Sequence, residues 1–237
     1  MVVPGSNRPL FPAFVAHHTV VFDREAPSSS FSEVVIPESI RTAPGRRQME
    51  FRAGRECALR ALKSLIQNAP DELSRDMASI AIGPGREPVW PRGIVGTITH
   101  TQDLASAAVA RTSDASGIGF DIEPVMSEEN AAAWMPRIAA PDEVGELARQ
   151  MEWSPAMALT VIFSAKETVY KCLYPQVRRY FGFRAAAIEL ADDAHGLFSV
   201  RLLETLTPVL VAGRSFEGRF DLRDGVVGTA MVLPPVN

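Results

Sequence analysis

At 237 residues, 46% of them hydrophobic, the chain has enough apolar material for one large domain or two small ones, which excludes a disordered tail. Lys and Arg number 24 against 28 acids, a formal charge of -4, so a general basic surface for nucleic acid is unsupported. Cys57 and Cys172 are the only cysteines, too few for a thiolate zinc site or a disulfide scaffold. Met1 to Leu10 lacks a signal-like apolar segment, and no uncharged apolar run is long enough to cross a membrane, so the expectation is a soluble, cytoplasmic protein without membrane contact.

Phe14 to Phe22 is rich in aromatic and β-branched residues and predicts a strand, followed by a polar loop from Asp23 to Ser32. His17 and His18, as strand neighbours, face opposite sides and cannot chelate one ion together; they read as ordinary strand histidines. Arg46 to Asn68 predicts the first long helix, with Phe51, Cys57-Ala58, Ala61-Leu62 and Leu65-Ile66 at helical spacing and Pro70 as its terminator. The other face carries Arg46, Arg47, Arg52, Arg55, Arg60 and Lys63. Arg52 and Arg55 align, and Arg47 falls near enough for two guanidinium forks to reach one anion, although a solvated basic face is the plainer alternative.

Ile80 to Ile82 predicts a short strand. Gly83 to Pro91 after it is too rich in Pro and Gly for helix or ladder, and it holds Arg86 and Trp90. Ile94 to His100 resumes as a strand in which Gly96 marks a bulge or a close backbone approach, and whose end presents Thr99 and His100. After a tight turn at Thr101 to Asp103, Leu104 to Arg111 reads as another strand. Thr112 to Ser116 is the best break in the chain, dividing it into 1–115 and 116–237.

Directly after the break, Gly117 to Pro124 is a strand on which Asp121 and Glu123 alternate with Phe120 and Ile122. Two acids on one strand face repel unless something positive lies between them, and a hard divalent cation is one candidate; a wet strand end is the other. Ser127 to Ala140 and Asp142 to Glu152 predict two helices punctuated by Pro136 and Pro141. Ser154-Pro155 is a strong helix start, and the helix runs through Tyr174 to Pro175. It is the most apolar helix in the chain, yet it carries Lys166, Glu167 and Lys171, the last two sharing a face. The remainder predicts four antiparallel strands at Ala185–Leu190, Leu197–Leu203, Phe216–Leu222 and Val226–Leu233, with turns at Asp192 to Gly196 and Asp224-Gly225.

The ordered set of Gly54-Arg55, Arg86 to Pro91, Gly96 to His100, Gly119 to Glu123 and Phe163 to Lys171 resembles the 4'-phosphopantetheinyl transferases, in particular the monomeric, enterobactin-synthase-component type, over roughly residues 46 to 175. The surfactin-type branch carries Trp where this chain has Phe163 and Ala where it has Thr168, which points to the enterobactin-type subgroup. The resemblance implies an α+β fold of two similar lobes related by a pseudo-twofold, each a small antiparallel sheet packed on a long helix, with the coenzyme A phosphate clamp in 1–115 and the metal and catalytic residues in 116–237.

It further implies transfer of the phosphopantetheine arm of coenzyme A to a serine of an apo carrier protein of a peptide, polyketide or fatty acid synthase, with release of 3',5'-ADP. Asp121, Glu123 and Glu167 would hold magnesium. Glu167 would be the base, Lys171 would act on the departing phosphate, and Lys166 would help hold the phosphate on the pantetheine side. Arg47, Arg55, Arg86, Thr99 and His100 look like the 3'-phosphate and adenine clamp. Residues around Tyr174 to Phe183, with Arg178 and Arg179, would meet the carrier. The rival readings are a non-catalytic coenzyme A or nucleotide-binding module and a structural scaffold.

Overall fold

In the computed structural model, the described residues are 9–26, 31, 34–66, 80–192 and 194–235. Among them the first half runs β1 (Ala16–Val21), α1 (Glu38–Arg41), α2 (Gly45–Ile66), β2 (Ala81–Ile82), β3 (Pro88–Val89), β4 (Ile94–His100) and β5 (Leu104–Arg111). The second half runs β6 (Gly117–Pro124), α3 (Glu128–Ile138), α4 (Pro141–Met151), α5 (Pro155–Val177), a single 3-10 turn (Phe183–Ala185), β7 (Ala186–Asp192), β8 (Leu197–Leu202), β9 (Ser215–Arg223) and β10 (Val226–Leu233). The chain divides into two units, one built on Ala13–Ile118 and the other on Gly119–Val232; the described residues before Ala13 join the second and those after Val232 join the first.

In the N-terminal unit, β5 is the middle strand of an antiparallel sheet ordered β1-β5-β4. Its alanines, Ala105, Ala107, Ala108 and Ala110, are fully buried, and their small side chains let α2 approach closely. The apolar stripe of α2 (Met49, Ala53, Cys57, Ala58, Ala61, Leu62) packs there with Phe22, Ile94 and Val109. Pro70, expected to end this helix, lies outside the described residues. Gly96 marks a close approach and no bulge, because the β4–β5 register is unbroken and a Cβ at that position would meet the Ala108 carbonyl at 2.8 Å.

The segment expected to form no ladder does form one. Pro88–Val89 pairs with Ala81–Ile82 in a two-residue hairpin, closed by Gly83 N–H donating to Glu87 O at 2.8 Å. Proline is tolerated because it opens the strand, where no ladder donor is required. At the hairpin tip Arg86 has φ 69°, a left-handed conformation.

The C-terminal unit is organised by α5 and by a five-stranded sheet ordered β6-β10-β9-β8-β7. The Ser154 hydroxyl caps α5 by accepting from Met157 N–H at 3.2 Å, and Pro155 occupies the first turn. The helix does not stop at Pro175 but continues to Val177, ending where Arg178 turns left-handed at φ 55°. Near a helix end a proline forfeits a single intrahelical bond, which the buried face of α5 outweighs. Pro136 likewise lies inside α3 and does not terminate it. The β9–β10 turn is Asp224-Gly225, with φ 51° and 75°, the paired positive values that match the strand twist of a two-residue hairpin.

Between α5 and β10 the buried hydroxyls satisfy one another. Thr168 Oγ1 lies 2.7 Å from Thr229 Oγ1 and donates to the Thr229 carbonyl at 3.0 Å, while Ser164 Oγ lies 2.9 Å from the same Thr229 hydroxyl. At Thr168, where the surfactin-type branch has Ala, the hydroxyl thus ties helix to sheet. Gly119 of β6 sits against the same turn of α5, and a Cβ there would run into the Thr168 carbonyl oxygen and lie 2.9 Å from the Cys172 Cβ. Gly119→Ala is therefore expected to cost at least about 3 kcal/mol, because backbone and not a flexible side chain blocks the added methyl. The denaturant midpoint measures it, and a loss under about 1 kcal/mol contradicts this packing.

Candidate active site

Strand alternation and helical periodicity bring four charges of the C-terminal unit together. On β6, Asp121 is 2% exposed, and Glu123 lies two residues on, where the strand emerges from the core. On α5, Glu167 and Lys171 are one turn apart. Lys171 Nζ donates to Asp121 Oδ1 at 2.6 Å and to the Phe120 carbonyl at 3.3 Å, tying helix to strand.

Three carboxylates share this single ammonium, and two of them, Glu123 and Glu167, have raised pKa values. Burial pushes the Glu123 carboxyl up to about 8; the charge of Asp121 adds to the shift, Lys171 opposes it and Glu167 adds a smaller push. Glu167 is also raised, first by burial, with Lys171 opposing and Asp121 adding. As the side chains stand, no three His, Cys, Asp or Glu residues among those described are drawn together at metal-ligand spacing. The donor set nevertheless fits a hard divalent cation. It is all carboxylate oxygen, it lies within mutual repulsion, and it holds more negative charge than Lys171 neutralises.

Lys166 turns away from the other charges of α5. Adjacent helical residues point about 100° apart, so it does not share the face of Glu167 and Lys171. Its side chain is 3% exposed, and the ammonium donates to Glu143 Oε2 at 2.8 Å and to the Ile138 carbonyl at 3.0 Å. Burial lowers its pKa, with Glu143 opposing. Glu143, in the first turn of α4, went unnoticed in the sequence because its partner lies 23 residues away.

Beside Glu167 a cleft of about 140 Å³ opens between α5 (Lys166, Glu167, Val169, Tyr170) and the segment Tyr180–Phe183 with Ala186. Its walls are aromatic: Tyr170 lies 4.9 Å from Phe181 and 6.0 Å from Tyr180 between ring centroids, and Phe163 lies 5.6 Å from Phe183. Such a slot, largely apolar with Glu167 and Lys166 at its edge, suits a slender chain carrying a charged end.

In the N-terminal unit, Arg47 Nη1 lies 3.1 Å from His100 Nε2 and donates to Glu50 Oε2 at 3.3 Å; Glu50 also pairs with Arg24 at 2.7 Å. Arg55 is buried, donates to the Ala81 carbonyl at 3.3 Å and lies over the Phe51 ring at 4.7 Å. Its pKa falls to about 10, through burial first and then the charge of Arg47, so these two guanidinium groups do lie within repulsive range. Arg52, aligned with Arg55 along the helix, is instead used locally and donates to the Val34 carbonyl at 2.9 Å. Thr99 is buried, and Arg86 is exposed on its hairpin. Glu50 was missed in the sequence, although its i,i+3 spacing from Arg47 was a readable signal.

Two family models match the chain: the 4'-phosphopantetheinyl transferase N-terminal domain over residues 37–110, and the 4'-phosphopantetheinyl transferase superfamily over residues 117–227. Among curated relatives, 4'-phosphopantetheinyl transferase Svp of Streptomyces mobaraensis is 33% identical over 88% of this chain and 82% of its own. Enterobactin synthase component D of Salmonella typhimurium is 32% identical over 91% of this chain and 86% of its own. 4'-Phosphopantetheinyl transferase PptT of Mycobacterium tuberculosis is 33% identical, with 84% and 86% covered.

The raised Glu123 pKa carries a stability consequence of definite sign. A carboxyl whose folded-state pKa lies above its ordinary 4.5 contributes stability that is full below that value and lost as pH rises through about 8. In metal-free buffer, Glu123→Gln is therefore expected to be more stable than the parent near pH 9, on the order of 2 kcal/mol after allowing for partial exposure, and equal to it near pH 4. Denaturant melts at both pH values measure the difference, and adding millimolar magnesium should narrow it at the higher pH.

Proposed function

We propose that this chain, which belongs to the 4'-phosphopantetheinyl transferase superfamily, uses a divalent cation, physiologically magnesium, to move the phosphopantetheine arm of coenzyme A to a carrier-protein serine, releasing 3',5'-ADP. Transfer of phosphopantetheine from coenzyme A to carrier proteins is the activity of the family. The observation that most supports the cation-dependent reading is the convergence of Asp121, Glu123, Glu167 and Lys171 from β6 and α5.

The serine oxygen forms a bond to the phosphorus that carries the pantetheine arm, and the bond from that phosphorus to the oxygen of the departing ADP breaks. Glu167, directly or through a water, takes the serine proton, and its raised pKa brings it nearer the working pH, where a base is most effective. Lys171, held over Asp121, donates to the leaving phosphate. Asp121, Glu123 and Glu167 would hold the cation, which when bound supplies neutralisation of pyrophosphate charge. In the N-terminal unit, Arg47, Arg55, Arg86, Thr99 and His100 serve the 3'-phosphate and adenine. The aromatic cleft beside Glu167 receives the pantetheine arm.

Enterobactin synthase component D among the relatives favours service to a siderophore or other secondary-metabolite synthase, with carrier domains of peptide, polyketide or fatty acid synthases as acceptors. Both units lie in one chain, which suits action as a monomer. The two buried, unbridged cysteines suit the reducing cytoplasm. The carrier docks beside the cleft at the exposed Arg178, Arg179 and Tyr180.

Incubation with coenzyme A, magnesium and a panel of apo carrier proteins, followed by mass, should show the added arm. Glu167→Gln and Asp121→Ala should each slow transfer by at least about 100-fold with the fold retained at the assay temperature, Asp121→Ala melting lower because it strips Lys171 of its partner. Full activity in both variants refutes the assignment, and coenzyme A binding without any transfer marks a non-catalytic binder. Reversing charge at Arg178 and Arg179 should raise KM for the carrier at least about fivefold, and an unchanged value rejects that docking surface.

A further inference from the structure

Glu143 and Lys166 form an ion pair whose side chains are 10% and 3% exposed, and the transfer chemistry leaves it unused. Glu143 engages both carboxylate oxygens. Oε2 accepts from Lys166 Nζ at 2.8 Å, and Oε1 accepts from the Ile188 backbone N–H at 2.8 Å. Lys166 Nζ also donates to the Ile138 carbonyl at 3.0 Å. One side chain on α4 thereby holds α5 and β7, and the ammonium adds the end of α3.

The joined elements carry both walls of the cleft. Lys166 is next to Glu167 on α5, and Ala186, two residues before Ile188, stands on the opposite wall with Phe183. A well-packed apolar pair in this place could be as stable as the ions, so bulk stability does not explain the pair. A carboxylate bonded in two directions, with its counterion bonded onward to backbone, adds a fixed spacing between helix and strand.

We propose that Glu143 is a positioning residue of the transfer reaction: with Lys166 as its buried counterion it fixes the spacing of α5 and β7, and so the width of the slot that takes the pantetheine arm. The inference rests on reading this cleft as the arm site. Lys166 acts here through its partners and not on phosphate.

The test compares the parent, Glu143→Gln and the double variant Glu143→Gln/Lys166→Met, measuring KM for coenzyme A, kcat, inhibition by 3',5'-ADP, which lacks the arm, and thermal melting. The double variant removes both charges and keeps the assay interpretable should the single variant, left with an unpaired buried ammonium, fail to fold. Expected is a rise of about tenfold in KM for coenzyme A in the folded variants, with the 3',5'-ADP inhibition constant within about twofold of the parent. An unchanged KM in the folded double variant overturns the proposal. So does a parallel rise in the 3',5'-ADP constant, which would put Lys166 on the phosphates. A parent that transfers nothing to any carrier overturns the functional reading and this inference together, and is recognised by the parent's own inactivity.

Discussion

The contact between Lys171 and Asp121 is the constraint to which the rest of the C-terminal unit answers. Asp121 is almost wholly buried, and a carboxylate taken out of water without a cation would be driven to protonate. The ammonium that keeps it company comes from α5, at 2.6 Å, so the register of that helix against β6 must be held to within a fraction of an ångström. Residues with no charge do this work. Gly119 lets the strand lie against the Thr168 carbonyl, and Thr168 with Ser164 bonds the Thr229 hydroxyl on β10. Position 168 thus acts on the cluster without touching its charges, by deciding where Lys171 projects.

Holding Asp121 in this way leaves Glu123 and Glu167 undercompensated. One ammonium cannot serve three carboxylates, and both remaining acids are pushed toward their neutral forms, chiefly by burial. A fold selected for stability alone would avoid such a cluster. Lys166 shows the contrast within the same helical turn. Its charge is paired with Glu143 and bonded to a backbone carbonyl, and it is withdrawn from solvent, although burial still lowers its pKa.

Much of this was legible in the residues alone, and for identifiable reasons. Asp121 and Glu123 could be placed on one face because strand alternation has no free parameter, and Ser154-Pro155 announced α5 because a hydroxyl cap and a proline are both favoured at a helix start. The strands Ile94–His100 and Leu104–Arg111 fall where the apolar runs are. What escaped notice was of two kinds. Pro88 and Pro175 were read as absolute breaks, yet the one opens a strand and the other sits in a final helical turn, positions where the missing N–H costs little. Glu143 and Glu50 were overlooked because a buried acid is recognised by its partners. Those partners are Lys166 and Ile188 for the one, and Arg24 and His100 with the nearby Arg47 for the other; only Arg47 is close in sequence.

Taken separately, the two units carry imbalances of opposite sign. In the N-terminal unit Arg24, Arg47 and His100 gather on one acid, Glu50, and Arg55 is buried close enough to Arg47 for its own charge to be disfavoured. In the C-terminal unit acids outnumber the ammonium. Neither imbalance lowers the free energy of folding, since each gathers like charges that water would solvate better apart. Under the proposed function each imbalance would be met by a ligand, anionic phosphate for the first and a hard cation for the second. Within the C-terminal unit, the neutral arm of coenzyme A in the proposed reaction matches the aromatic slot beside Glu167. Within the C-terminal unit the carboxylate cluster and the slot bear on the proposed ligand by independent criteria, the first through charge and the second through an apolar chain.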